Sequence, residues 1–143
     1  MKTKPEDRKP LYSLCIHEAS HAIVGIYFSE AIRYLKVVHK PGYWQGYCML
    51  RKNPTCPVID GCIDVAGSMG QWLYANRPYG QMERSDYTDM RRRRISEWGM
   101  NILFHKTRKI LKKQKKRVIL LANALKSKRY LNEKQIKKLL GVQ

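Results

Sequence analysis

Residues 11–29 place apolar side chains on nearly every face of a helix, and Glu18 is their single formally charged member. A helix that is apolar all round is buried in a protein core. Pro10 can occupy the first turn of such a helix, where the missing N–H costs nothing. The pattern therefore predicts a buried first helix that starts near Pro10 and runs to about Glu30.

The next segment has the pattern of a β-hairpin. Residues 33–39 alternate in polarity and are rich in β-branched side chains, which is typical of a strand. Pro41 and Gly42 form a turn signal, and residues 43–50 have the character of a partner strand. A small sheet is therefore expected directly after the first helix.

A second buried helix is expected after the proline-rich break at residues 53–57. Gly67 and Gly70 within it would allow close approach of a neighbouring element. The helix is predicted from apolar residues that recur at helical spacing, namely Ile59, Cys62, Ile63, Ala66, Met69 and Leu73.

The rest of the chain is predicted to be helical after a loop at residues 76–80. Ser85 or Asp86 could cap a helix that carries Tyr87, Met90, Ile95 and Trp98. A long basic helix should follow, and residues 132–135 form a capping box for a short last helix closed by Gly141. The inward residues of the basic helix are expected to be Ile110, Leu111, Val118, Leu121 and Leu125.

Composition indicates one domain spanning residues 1–143, mainly α with a small β-hairpin or sheet. A chain of 143 residues with 43% hydrophobic content can bury one core. The formal net charge is +18, and residues 106–143, with 14 basic residues and one acid, supply +13 of it. This strongly basic C-terminal segment could dock on nucleic acid or an acidic protein, or it could be a solvated helix face.

Several features favour an intracellular protein. No stretch has the ~18 consecutive apolar residues of a membrane span, and the charged N-terminus does not resemble a secretion signal. Because nothing else in the chain suggests secretion, the four cysteines are expected to be free thiols. They contain no C-x-x-C pair, so a second, structural zinc site is not expected. The expected location is the cytoplasm.

The first helix contains the motif His17-Glu18-Ala19-Ser20-His21, which has the form H-E-x-x-H. Two residues four apart lie one helical turn from each other, so His17 and His21 can bind one Zn²⁺. Glu18 lies about 100° round the axis from His17 and could reach a water at the metal. The competing interpretation is a pair of core histidines with a carboxylate paired to an arginine.

The motif and its flanks, residues 16–25, resemble the peptidase domain of the FtsH-type ATP-dependent zinc metalloproteases, and most closely the short stand-alone relatives that lack the ATPase. The family usually has Gly at the position of Ser20, and an acidic residue where this chain has Gln71 or Trp72. Weaker similarities extend over residues 11–141, including Gly46 after the motif helix. The resemblance implies a zincin-like helical fold and hydrolysis of peptide bonds at zinc.

A catalytic zinc site takes three protein ligands and keeps one position for water. The resemblance implies that the third ligand is an Asp near the start of a later helix, and Asp86 is the preferred candidate. Glu83 and Asp89 remain alternatives, because Glu83 keeps the following segment in register with longer family members and Asp89 shares a face with Asp86. His39 and His105 are interpreted as surface histidines, and Asp60 or Asp64 could orient a zinc-binding imidazole.

The roles of these residues predict a metalloendopeptidase in which Glu18 is the general base. Residues 33–39 or 43–50 could offer a strand edge to which an extended polypeptide adds. With no room for an ATPase, the substrates should be flexible or already unfolded polypeptides. Two alternatives stay open: a regulatory or nucleic-acid-associated zinc protein with limited or no proteolysis, and a purely structural zinc protein.

Overall fold

The computed structural model describes the backbone of residues 5–76 and 97–142, and the side chains of residues 10–76 and 98–142. Within these ranges the chain is mainly helical and includes one small antiparallel sheet. Its elements follow one another as α1 Pro5–Tyr27, β1 Ile32–Lys40, β2 Tyr43–Leu50, α2 Pro57–Tyr74, α3 Glu97–Lys113, α4 Lys115–Lys128, β3 Tyr130–Asn132 and α5 Glu133–Leu140.

The first helix begins earlier and ends earlier than its pattern predicted. It starts at Pro5, so Pro10 lies inside the helix and not in its first turn, and that prediction was wrong. Both Pro5 and Pro10 are compatible with the first turn of a helix. The prediction chose Pro10 because the apolar pattern begins only after it. The helix ends at Tyr27 and not near Glu30, because Ser29 adopts a left-handed conformation with φ 64°. A glycine usually marks such an end, and this chain has none there.

The hairpin is confirmed, with β1 paired to β2 in an antiparallel register that places Val37 opposite Gly46. The sheet order is β2-β1-β3, so β1 is central and β2 is an outer strand. Strand β3 was not predicted, because three residues are too few for an alternating pattern to be recognised. It pairs with the start of β1 and brings Leu131 opposite Leu35, and both side chains are fully buried.

The long basic part of the chain before the last helix forms two helices, α3 and α4, which are separated at Gln114. Helix α3 packs mainly on α2, whereas α4 packs mainly on α1, so the bend lets each half cover a different helix. The prediction of its inward residues is confirmed, since all five are buried: Ile110, Leu111, Val118, Leu121 and Leu125.

The last helix, α5, begins with the predicted capping box. The side chain of Asn132 accepts a hydrogen bond from the Gln135 backbone, and the Gln135 side chain accepts one from the Asn132 backbone. Gly141 ends the helix with φ 65°, as expected for a C-terminal glycine. Trp98 lies on α3, while the other members of the predicted preceding helix, at positions 87, 90 and 95, fall outside the described residues.

Helix α1 is the centre of the fold, because α2, α4 and both strands of the hairpin pack against it. Its residues from 15 to 25 are all buried, as their apolar pattern predicted. Three of these buried residues are polar and ionisable: His17, Glu18 and His21. Within the described ranges, no helix is both long enough and apolar enough to cross a membrane.

Candidate metal centre

His17 and His21 lie one turn apart on α1, and their rings meet in the space between α1 and α2. The two Nε2 atoms are 3.0 Å apart, and the ring centroids are 4.6 Å apart with the planes at 81°. Only 4% of His17 and 8% of His21 is exposed. The helical spacing of the motif therefore produces the convergence of imidazoles that the sequence predicted.

Gln71 on α2 sets the tautomer of His17. Its Nε2 atom donates to the backbone carbonyl of Ser13 at 3.2 Å and to the Ser13 hydroxyl at 2.9 Å. The amide oxygen of Gln71 therefore faces His17 and accepts from Nδ1 at 2.9 Å. A proton on Nδ1 leaves the lone pair of a neutral imidazole on Nε2, the atom that faces His21.

The backbone carbonyl of Ile63 sets the position of the Nδ1 proton in His21. This oxygen lies 2.5 Å from Nδ1 of His21, and a carbonyl oxygen can only accept a hydrogen bond. Nδ1 of His21 is therefore also the protonated nitrogen. Gln71 and Ile63, both on α2, fill the orienting role for which the sequence suggested Asp60 or Asp64.

The Nε2 atoms of the two histidines thus face each other at 3.0 Å, while both Nδ1 atoms are hydrogen-bonded to acceptors on α2. At this distance the two nitrogens can share a proton, or each can direct a lone pair to one metal ion. Zinc bound to two imidazole nitrogens at ~2.0–2.1 Å in tetrahedral geometry requires those nitrogens to lie roughly 3.3 Å apart. The observed separation fits such an ion after a small outward movement of the rings.

Gly67 of α2 makes room for both imidazoles. A Cβ atom at this position would lie 2.5 Å from Nε2 of His17 and 2.5 Å from Nε2 of His21. Every side chain other than glycine would therefore collide with the two nitrogens that converge. The close approach of the imidazole pair to α2 therefore requires a glycine at this position.

The second glycine of α2 accommodates the residue at which the motif departs from the family pattern. Ser20 is fully buried, and its hydroxyl donates to the Ile16 carbonyl at 2.7 Å. A Cβ atom on Gly70 would collide with the Ser20 side chain. Where the family usually has a glycine in the motif helix, this chain has a glycine on the facing helix.

Glu18 is 6% exposed and lies beneath strand β2. A Cβ atom on Gly46 would stand 2.7 Å from the Glu18 carboxylate oxygen Oε1, so the strand passes directly over this carboxylate.

Cys48 lies on the same strand, two residues beyond Gly46. Burial, and then the negative charge of Glu18, raise the pKa of its thiol well above the usual value. Burial also raises the pKa of the Cys15 thiol, and the negative charge of Glu18 adds a smaller increase.

The three candidates for a third zinc ligand lie outside the described residues. Asp86, Glu83 and Asp89 all fall between residues 77 and 96, for which no structure is described. In the described ranges, no group of three or more His, Cys, Asp and Glu side chains comes together as a metal site. The structure thus brings His17, Glu18 and His21 together and leaves the choice among the three carboxylates as a prediction.

The remaining histidines and the cysteines agree with their sequence-based interpretation. His39 and His105 are exposed, on β1 and α3, and neither approaches the imidazole pair. All four cysteines are free thiols. The role of Gln71 was missed, although the resemblance placed either Gln71 or Trp72 where the family usually has an acidic residue. The Ile63 carbonyl could not have been found, because a backbone acceptor has no signal in the sequence.

Compared with models of protein families and with curated proteins, the sequence has no match among either. The geometry around His17, Glu18 and His21 is therefore the main basis for inferring what the protein does.

Proposed function

We propose that this protein is a zinc-dependent metallopeptidase that cleaves internal bonds of flexible or unfolded polypeptides. The observation that carries the proposal is the pair of Nε2 atoms 3.0 Å apart, each belonging to an imidazole whose Nδ1 is hydrogen-bonded to an acceptor. A structural role for two core histidines would not require both lone pairs to converge. The motif's resemblance to FtsH-type peptidases and its position on a buried helix support the same conclusion.

His17 and His21 would hold the zinc ion, with Asp86 as the proposed third ligand. The acceptors on both Nδ1 atoms keep the rings in place, as the partners of zinc-binding histidines generally do. When bound, zinc supplies a Lewis acid that polarises a carbonyl group and makes a water molecule more acidic.

Glu18 is the general base of the proposed reaction. Its carboxylate accepts the proton of the attacking water and afterwards delivers it to the amine that leaves the cleaved bond. The absence of a side chain on Gly46 lets strand β2 lie against this carboxylate and shield it from solvent. A purely structural zinc site has no use for a buried carboxylate next to its ligands.

The substrate is proposed to bind as an extended strand along β2. This strand is at the outer position of the sheet order and passes over Glu18 at Gly46. Pairing through backbone groups requires an extended peptide and selects weakly for side chains. Flexible or unfolded polypeptides meet that requirement, whereas folded ones do not. The four free thiols support a cytoplasmic setting for this activity.

The substitution Glu18→Gln tests the proposal, because it keeps the shape of the side chain and removes the proton acceptor. Hydrolysis of casein should fall by at least about a hundredfold, while the zinc content stays that of the parent. Glu30→Gln makes the same chemical change just beyond the end of α1 and should retain activity. Zinc-loaded parent protein that cleaves no unfolded substrate would instead favour a structural zinc protein.

A further inference from the structure

A cleft of about 760 Å³ lies between the C-terminal end of α1 and one face of α3. Tyr27 lines it from α1, and Ile102, Lys106, Lys109 and Lys113 line it from α3. Arg108, Lys112 and His105 also lie along its wall. The described residues that line this cleft include neither Asp nor Glu, so its electrostatic potential is strongly positive.

The lysines of the cleft form one stripe along α3. Positions 106, 109 and 113 differ by three and four residues, so their side chains lie on one face of the helix. The stripe spans about 10 Å at 1.5 Å per residue. The stripe therefore presents three positive charges in a row, which suits the phosphate backbone of a nucleic acid.

Tyr27 adds an aromatic surface to the stripe. Its side chain is 52% exposed, and its ring is held edge-to-face by Phe28 at a centroid distance of 5.2 Å. The ammonium group of Lys106 lies 5.7 Å from the centroid of Phe28, which keeps this cation beside the tyrosine. The lysine-rich sequence itself contains no interleaved aromatic residues, and the fold supplies one from a different helix.

We propose that this cleft binds single-stranded nucleic acid, with Tyr27 stacking on a base and the lysine stripe contacting the phosphates. Single-strand sites combine a basic groove with exposed aromatic rings in this way. A duplex offers no open base face to Tyr27, and the flat surface of a bilayer cannot enter a cleft.

The proposal does not depend on peptide hydrolysis or on zinc. The Glu18→Gln variant should therefore bind nucleic acid as the parent does, which separates failure of this proposal from failure of the proposed function. The probe is a fluorescein-labelled oligothymidylate of roughly 15 nucleotides, followed by fluorescence anisotropy between about 50 and 200 mM salt.

Tyr27→Ala should weaken binding roughly tenfold, and Tyr27→Phe, which keeps the ring, should bind like the parent. Changing Lys106, Lys109 and Lys113 together to Gln should reduce the slope of log affinity against log salt by about 2, since each contact to a single strand contributes about 0.7. The matched control changes three exposed lysines elsewhere, Lys128, Lys134 and Lys138, to Gln and should leave the slope close to that of the parent.

Four results would overturn the proposal. These are no binding of the oligonucleotide at the lowest salt, equal losses in the two triple-lysine variants, unchanged affinity of Tyr27→Ala, and equal or tighter binding of a duplex of the same length. Tighter binding to phosphatidylserine vesicles than to the oligonucleotide would assign the cleft to a membrane surface instead.

Discussion

Gln71 holds His17 in the tautomer that a metal ligand requires, through the 2.9 Å contact between its amide oxygen and Nδ1 of the imidazole. Gln71→Met removes this acceptor at similar volume and should weaken zinc binding about ten- to a hundredfold. Gln71→Glu keeps an acceptor oxygen for His17 but loses the donor to Ser13, so it should weaken zinc binding less than Gln71→Met does. Competition against a chromophoric zinc chelator measures the zinc affinity of both variants. Equal zinc affinity of Gln71→Met and the parent would show that Gln71 does not orient His17.

Ser20 and Gly70 are expected to be energetically coupled, because a Cβ atom on Gly70 would lie 2.7 Å from the Cβ atom of Ser20. Gly70→Ala should lower the free energy of unfolding by about 1–3 kcal/mol through overpacking. Adding Ser20→Gly removes the obstructing atoms and should recover most of this loss, although Ser20→Gly alone costs about 1 kcal/mol as a helix glycine. Urea unfolding of the parent, both single variants and the double variant measures the coupling. If the double variant loses the sum of the two single losses in unfolding free energy, Ser20 and Gly70 are not coupled. The two helices would then adjust around the extra atom.

Asp86 is expected to be the third zinc ligand. Asp86→Ala leaves two imidazoles and should lower zinc affinity far more than Glu83→Ala or Asp89→Ala does. The Asp86 variant should also gain less thermal stability when zinc is added, because ligand binding stabilises the folded state. A zinc titration of the three variants distinguishes them. If the Glu83 or Asp89 variant is the one that loses zinc, the ligand assignment is wrong while the histidine pair stands.

Buried thiols should make the fold less stable in alkaline solution. Burial raises the pKa of Cys15 from 9.0 to about 12, against the opposing positive charges of Arg129 and Lys126. Between these two values the unfolded chain loses a proton that the folded chain keeps, so the free energy of unfolding falls as pH rises. The free energy of unfolding is measured in urea at about pH 8 and about pH 10. Between these pH values it should fall by about 1 kcal/mol less in Cys15→Ala than in the parent. As a control, Cys56→Ser changes an exposed cysteine and should show the same fall in the free energy of unfolding as the parent. Equal falls in the parent, Cys15→Ala and Cys56→Ser would show that Cys15 does not cause the loss of stability.

The elements that the sequence predicted well are those with a long, regular pattern or a specific terminal residue. The buried residues of α1, the hairpin around Gly42, and the Asn132 capping box all belong to this class. The end of α1 was misplaced because Ser29 adopts a conformation that glycine usually marks. The bend at Gln114 depends on which helices the two halves contact, and no local pattern records such a choice.

For the candidate site, the motif predicted the convergence of His17 and His21 because helical spacing alone produces it. The sequence also indicated that Gly67 and Gly70 allow close approach, which the structure confirms in atomic terms. It could not predict that Gln71 and the Ile63 carbonyl would be the acceptors, since these contacts depend on how α2 is rotated against α1. Nor could it place Gly46 over Glu18, which depends on the path of the hairpin across the helix.

Elemental analysis of the purified protein is the decisive measurement, because the proposed activity depends on a zinc ion held by the converging Nε2 atoms of His17 and His21. We expect about one zinc ion per chain in the parent and in His105→Ala, whose histidine is exposed, and loss of zinc in His21→Ala. A parent protein that contains no stoichiometric transition metal and takes up none when zinc is added would contradict the account.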